Sequence, residues 1–317
     1  MPMMPFPDLL TVAGASRRRG GPTEYRFHES ARPFVVPDDG SEVARLLDSA
    51  LRRKTPVRAS VDLALGRLGE LRLATDDEIA AFAKARPPLD RPSKIAPIDV
   101  DRLDPTTFNV VGHHLKWPPF RLCTKVIPNY AKAKEIFDYC AGLSCHLGGT
   151  PATPPCIPFQ YVIDGCYARA HQMRRIITTK YRYCCEKVFS FATAGTDTLA
   201  VKADKWGGCC VQWWYHVAPL VRVRMRLRPY PPYIKQSLTF DLSMVIDPGM
   251  FDKPVLLSTW LAAQQNTTCA PTAHVTSYSI QPGSAYTPSY NGGFSTDPAY
   301  TATEATLLAY KTLITCP

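Results

Sequence analysis

Hydrophobic and polar positions change period several times along the chain, and each change marks an element. Val43, Leu46, Leu47, Ala50 and Leu51 recur at helical spacing behind Ser41, a good N-cap residue, and predict a helix. Val57, Ala59, Val61 and Leu63 then alternate, which reads as a half-buried strand, and Glu70 to Ala74 suits a pairing partner. Thr75-Asp-Asp-Glu78 is a capping box that opens a second helix through Ile79, Phe82 and Ala83. Residues 23–86 are thus expected to form a small helix-strand-strand-helix unit. Residues 1–22, broken by prolines, read as a flexible arm. Residues 87–120 begin Pro-Pro-Leu-Asp-Arg-Pro-Ser-Lys and read as a linker open to proteases at Arg91 and Lys94.

Downstream, a helix is expected from Pro128 to about Ala141, burying Tyr130, Ala133, Phe137 and Cys140 and stopping at Gly142. The apolar run Cys156 to Ile163 leads into an Asp164-Gly165 turn. From Cys166 to Ile177, Ala170, Met173 and Ile177 share one helical face. Strands follow at Tyr181 to Phe191, Cys209 to Tyr215 and Leu238 to Ile246. Between the last two, Val221 to Arg228 alternates strictly, placing Arg222, Arg224, Arg226 and Arg228 on one wet face. Beyond Phe251 the composition predicts long ordered loops stapled by Cys269 and Cys316, with a short helix from Thr303 to Leu313. The expected class is α+β: an antiparallel sheet packed with helices over 121–317, preceded by the small α/β unit.

The cysteines alter the picture most. There are 11, all between Cys123 and Cys316, and such density belongs to oxidising compartments. An odd count suggests five bridges and one free thiol, best assigned to Cys166 at a helix N-terminus, where unpaired N–H groups favour a thiolate. The adjacent pairs Cys184-Cys185 and Cys209-Cys210 lack the two-residue gap of a zinc site, so no metal or other cofactor is expected. Met1 to Ala15 is a poor export signal, because its apolar run is short and its arginines follow it. Secretion is expected all the same from the cysteines.

The net charge of +10 lies mostly in the cysteine-bearing part, since residues 1–100 carry 16 basic and 14 acidic side chains. No basic block is interleaved with aromatics, which argues against nucleic acid, and no run reaches membrane-span length.

A cysteine nucleophile needs a base, and the base needs an orienting group. His171 lies five residues along the helix from Cys166 and points away from it. His216 follows Trp213-Trp214-Tyr215, aromatic surroundings that exclude water and are candidates to contact substrate. Asp247 ends the next long strand, and adjacent antiparallel strands can bring a strand-start His to a strand-end Asp. Cysteine, helix, histidine on a strand and aspartate on the next is the order of papain-like and transglutaminase-like enzymes.

The strings PCIPFQYVIDGCYARAHQMR, CCVQWWYHVA and IDPGMF resemble those of the secreted bacterial protein glutaminases, which deamidate glutamine side chains within proteins. The resemblance covers roughly 128–317 and extends faintly to Ser41–Ala85, which is similar to the family's propeptide. It implies Cys166 as nucleophile, His216 as base and Asp247 as orienting acid. It further implies a thioester intermediate and an N-terminal unit that fills the cleft as a substrate mimic until a protease cuts the linker. Protein substrates with exposed glutamine and a monomeric state are expected. A narrow-specificity bacterial effector deamidase, a cysteine protease or transglutaminase, and a non-catalytic disulfide-stapled binding protein are the competing readings.

Overall fold

The computed structural model describes residues 4–17, 22–36, 41–63, 65–89, 96–97, 123–148, 155–193, 196–227, 238–289 and 292–316. Two six-stranded sheets organise them.

The N-terminal sheet is built from β1 (Met4–Pro5), β2 (Val12–Arg17), β3 (Thr23–Phe27), β4 (Ser30–Val36), β5 (Val57–Asp62) and β6 (Arg67–Leu73), in the order β1-β5-β6-β4-β3-β2. Helix α1 (Glu42–Arg53) is capped by Ser41, whose side chain accepts the Ala44 N–H. Helix α2 (Asp76–Ala85) carries the expected capping box, with Thr75 and Glu78 bonded reciprocally. The stretch expected to be a flexible arm instead supplies β1 and β2. Phe6, Leu9, Leu10 and Val12 are all buried, and each apolar side chain so placed contributes about 1.5–3 kcal/mol. That is enough to hold a segment whose prolines suggested disorder. The unit therefore has four strands more than the helix-strand-strand-helix expected.

The second sheet takes β7 (Ala96–Pro97), β8 (Glu186–Phe191), β11 (Tyr215–Leu227), β12 (Leu238–Val245), β13 (Val255–Leu256) and β14 (Ser277–Pro282), in the order β13-β12-β11-β8-β14-β7, every pair antiparallel. Smaller hairpins are β9 (Leu199–Lys202) with β10 (Cys210–Trp213), and β15 (Ala285–Pro288) with β16 (Phe294–Thr296). Around them lie α3 (Tyr130–Gly142), α4 (Cys166–Thr179), α5 (Leu257–Ala262) and α6 (Thr301–Tyr310). The strand expected from Tyr181 begins only at Glu186. The one expected over Cys209 to Tyr215 is interrupted at Trp214. The C-terminal loops include β14, which pairs along the whole of β8. Its Ser-Tyr-Ser-Ile-Gln-Pro sequence carries too few apolar residues for alternation to be recognised.

Among the described residues there are four disulfides, not five: Cys123–Cys184, Cys145–Cys156, Cys209–Cys316 and Cys210–Cys269. Successive strand residues face opposite ways, so neighbours Cys209 and Cys210 reach different partners, and the bridges to Cys316 and Cys269 staple the C-terminal loops. Cys140, Cys166 and Cys185 are free and buried. Cys140 and Cys185 sit in one apolar cluster with Ile136, Phe137 and Val221, where they act as small hydrophobes. The cleavage region at Arg91 and Lys94 and the end of the arginine face at Arg228 lie outside the described residues. Arg224 on that face pairs with Asp241 across β12, as a solvated sheet face does.

Candidate active site

Gly165 lets α4 begin at Cys166. Its φ is +76°, and a Cβ there would come within 2.7 Å of the Tyr310 ring, so only glycine satisfies both the turn and the packing. Arg169, one turn into the helix, donates from Nη1 to the carbonyls of Tyr161 and Asp164, both at 2.6 Å, and so ties the incoming chain to α4.

His216 is the second residue of β11, and Asp247 lies two residues past β12, the strand paired to it. The expected adjacency holds. His216 Nε2 lies 2.9 Å from Asp247 Oδ2, with both side chains buried. The same oxygen accepts the Trp260 indole N–H at 2.9 Å. Two indoles stack on the imidazole: Trp213 at 4.4 Å and 11° between planes, Trp260 at 5.3 Å and 24°. Trp213 is fixed in turn by donating to the carbonyls of Val162 and Ile163, just before the turn that leads to Cys166. With Nε2 on Asp247, the other ring nitrogen, Nδ1, is buried and has no hydrogen-bond partner among the described residues. The main-chain N–H of Val217, the next residue, favours the Cys166 thiolate, though less than burial disfavours it.

Burial would raise Asp247, yet the hydrogen bond and charge of His216 and the Trp260 donor hold it below the ordinary carboxylate value. Cys166 behaves otherwise than its helix position suggested: burial pushes its thiol up to about 12, against a smaller opposing effect of Arg169.

The β3–β4 turn of the N-terminal unit lies across this site. Trp214 N–H donates to the Ala31 carbonyl at 3.0 Å, and its indole donates to the Ser30 carbonyl at 2.8 Å. Tyr215 Oη donates to the His28 carbonyl at 3.3 Å. From the other side Asp164 accepts Ser30 Oγ at 2.7 Å and the Ala31 N–H at 2.9 Å. Ala31 is fully buried, in the same apolar cluster as Cys166, Trp213, Tyr215 and Trp260. Arg26 reaches the carbonyls of Thr193 and Asp197, and Tyr161, Tyr310 and Leu313 join the apolar core of the N-terminal unit.

The structure therefore brings Cys166, His216 and Asp247 into one buried site. Trp213 stacks on the imidazole, whereas Trp214 and Tyr215 face the covering turn. Sequence reasoning missed Trp260, a lone indole in a short apolar helix, and took Asp164 for a turn residue. His171 stays outside the site, its Nδ1 2.7 Å from the buried Lys187 Nζ and its Nε2 facing the Asp297 carbonyl.

A helix headed by a cysteine, followed by antiparallel strands carrying the histidine and the aspartate, is the arrangement of papain-like and transglutaminase-like enzymes. Residues 133–264 match a family model described as Glutaminase. Two crystal structures of pro-protein-glutaminase, one of them a mutant, align over 99% of this chain and 95% of theirs at 25% identity, with TM-scores of 0.68 and 0.67. A crystal structure of protein-glutaminase is 34% identical, aligning over 61% of this chain and 92% of its own with a TM-score of 0.50. No curated protein sequence matches. The chain belongs to the protein-glutaminase family and carries its pro-region.

Proposed function

We propose that this chain is the proenzyme of a protein glutaminase, which hydrolyses the side-chain carboxamide of glutamine within proteins and releases ammonia. The observation that carries the reading is the buried His216 ring, anchored at Nε2 by Asp247 and unpartnered at Nδ1, stacked on Trp213 and Trp260, which share one apolar cluster with Cys166. In this tautomer Nδ1 has a lone pair available for the thiol proton. Cys166 sulfur attacks the γ-carboxamide carbon while His216 takes its proton, and the tetrahedral oxyanion meets N–H groups at the start of α4. His216 then protonates the departing nitrogen, which leaves as ammonia, and a thioester remains. Water, deprotonated by His216, attacks that thioester to give glutamate and restore the thiol. Asp247 holds the ring in place through both steps and faces the positive charge it acquires.

Residues 4–86 are the inhibitory pro-domain and 123–316 the catalytic domain. Its seat on Trp214, Tyr215 and Asp164 supports the view that the turn His28 to Ala31 fills the substrate cleft. Proteolysis between the domains releases it. Four disulfides fit an extracellular enzyme. No described helix is long and apolar enough to cross a membrane.

Ammonia release from a glutamine-rich protein tests the proposal, using the intact chain, the chain nicked between residues 97 and 123, and Cys166→Ala of each. Ammonia only after nicking, and none from Cys166→Ala, is expected. New amino termini without ammonia would point to a protease and overturn it.

A further inference from the structure

Asp164 is fully buried two residues before Cys166, and its carboxyl group is shared between the two domains. Within the catalytic domain Tyr310 Oη donates to Oδ2 at 2.9 Å. Everything else it receives among the described residues comes from the covering turn: Ser30 Oγ to Oδ2 at 2.7 Å and the Ala31 N–H to Oδ1 at 2.9 Å. Once that turn departs, Oδ1 has no described donor. A buried acceptor without a donor costs far more than one hydrogen bond contributes, so this oxygen calls for an occupant each time a substrate closes the cleft.

The occupant's shape is set by a second bond. The Ala31 carbonyl accepts the Trp214 N–H at 3.0 Å. One residue of an extended chain is thus gripped by its own N–H and C=O, between the residue two positions before Cys166 and the residue two positions before His216. A substrate residue held in this way has its side chain rooted where Ala31 has its methyl group, in the cluster that contains the nucleophile. The residue before it then stands where Ser30 stands, with its side chain beside Oδ2.

We propose that Asp164 is a substrate-binding residue that reads two consecutive positions. Oδ1 accepts the main-chain N–H of the glutamine undergoing deamidation, and Oδ2 accepts the hydroxyl of a serine immediately before it, so that Ser-Gln is the preferred sequence. This rests on the glutaminase reading above.

The test uses the full chain nicked between residues 97 and 123 and end-blocked peptides framed on the turn, His-Glu-Ser-Gln-Arg-Pro, with ammonia as readout. Replacing the peptide serine by alanine or O-methylserine, which keeps the bulk but removes the donor, is expected to lower kcat/KM about tenfold, as for a hydrogen bond to a charged group. Methylating the glutamine main-chain nitrogen is expected to cost at least about tenfold. Asp164→Ala, which has no side-chain acceptor, is expected to erase most of both penalties, and the peptide series on the unmutated enzyme stands alone if that variant does not fold. Serine, alanine and O-methylserine peptides deamidated within about twofold of one another would overturn the proposal while leaving the deamidase reading intact. Ammonia from none of the peptides or from any protein would overturn both.

Discussion

Trp260 donates its indole N–H to Asp247 Oδ2, the oxygen that also holds His216, so one carboxylate oxygen is fixed from two directions. The second donor matters because Asp247 would otherwise be free to turn about its side chain and carry the imidazole with it. Trp260→Phe keeps an aromatic face beside the imidazole and removes the N–H together with part of the ring. Deamidation by the nicked enzyme is expected to fall about tenfold in kcat with little change in KM, the loss of one hydrogen bond to a charged group. Steady-state kinetics on a glutamine-containing protein checks this. Asp247→Asn is expected to cost more, on the order of 10²–10⁴ in kcat, because the ring can then settle in the wrong tautomer.

Cys166 should become reactive only when uncovered. Burial holds its thiol near 12 in the intact chain, so at pH 8 almost none is thiolate, and alkylation depends on the thiolate. Nicking and removal of the N-terminal fragment restores solvent and the helix N-terminus as the governing influences. Iodoacetamide labelling of Cys166 at pH 8, followed by peptide mass spectrometry, is expected to accelerate at least about 100-fold after removal. Cys140 and Cys185, both raised by burial in the apolar core, serve as internal controls that stay unlabelled.

The contribution of Glu29 to the stability of the intact chain should fall as pH rises toward 8. Glu29, in the turn that covers the site, is pushed up to about 8, chiefly by burial and secondarily by Asp8, against the Thr11 N–H it accepts and the charge of Arg86. Between its ordinary value of 4.5 and about 8, the folded chain keeps a proton that the unfolded chain has released, so stability drops as pH rises. Neighbouring His28 is lowered to about 4 by burial and works oppositely, but only below its ordinary 6.5. Lys187, lowered well below its ordinary value by burial, also works oppositely, so the Glu29 contribution is read by difference: differential scanning calorimetry is expected to show the melting temperature of Glu29→Gln rising relative to that of the parent chain over pH 6.5–8.

Gly165→Ala is expected to destabilise the chain by about 2–4 kcal/mol, the sum of a left-handed φ for a residue with a Cβ and a clash with an aromatic ring. Tyr310→Ala in the same chain removes the ring and should recover part of that loss relative to Tyr310→Ala alone. Urea denaturation of the four chains completes the cycle.

Much of the site was legible because its chemistry sits on strong local signals. Cys166 follows a glycine turn and opens an amphipathic helix, and His216 and Asp247 mark the start and end of neighbouring strands. Both helices of the N-terminal unit carry caps in the sequence itself, Ser41 and Thr75 with Glu78, and both form where expected. What escaped depends on contacts far apart in the chain. Trp260 acquires its role from Asp247, and Asp164 from Ser30, Ala31 and Tyr310, which are 134, 133 and 146 residues away. Val12–Arg17 has almost no strand signal and becomes a strand because β3 offers it an edge. Disulfide number failed for a physical reason too: Cys140 and Cys185 are inside an apolar core, where a thiol is as acceptable as an alanine.

All 11 cysteines lie at or beyond Cys123, so no disulfide ties the covering domain to the one it covers. While the connecting chain is whole, the covering domain is tethered at an effective concentration on the order of millimolar, and dilution cannot separate it from the site. One peptide-bond cleavage turns the same contacts into an ordinary bimolecular complex. Nicked protein kept concentrated should stay largely silent, and the same preparation should wake on dilution, so activity per molecule rises as the molecules move apart.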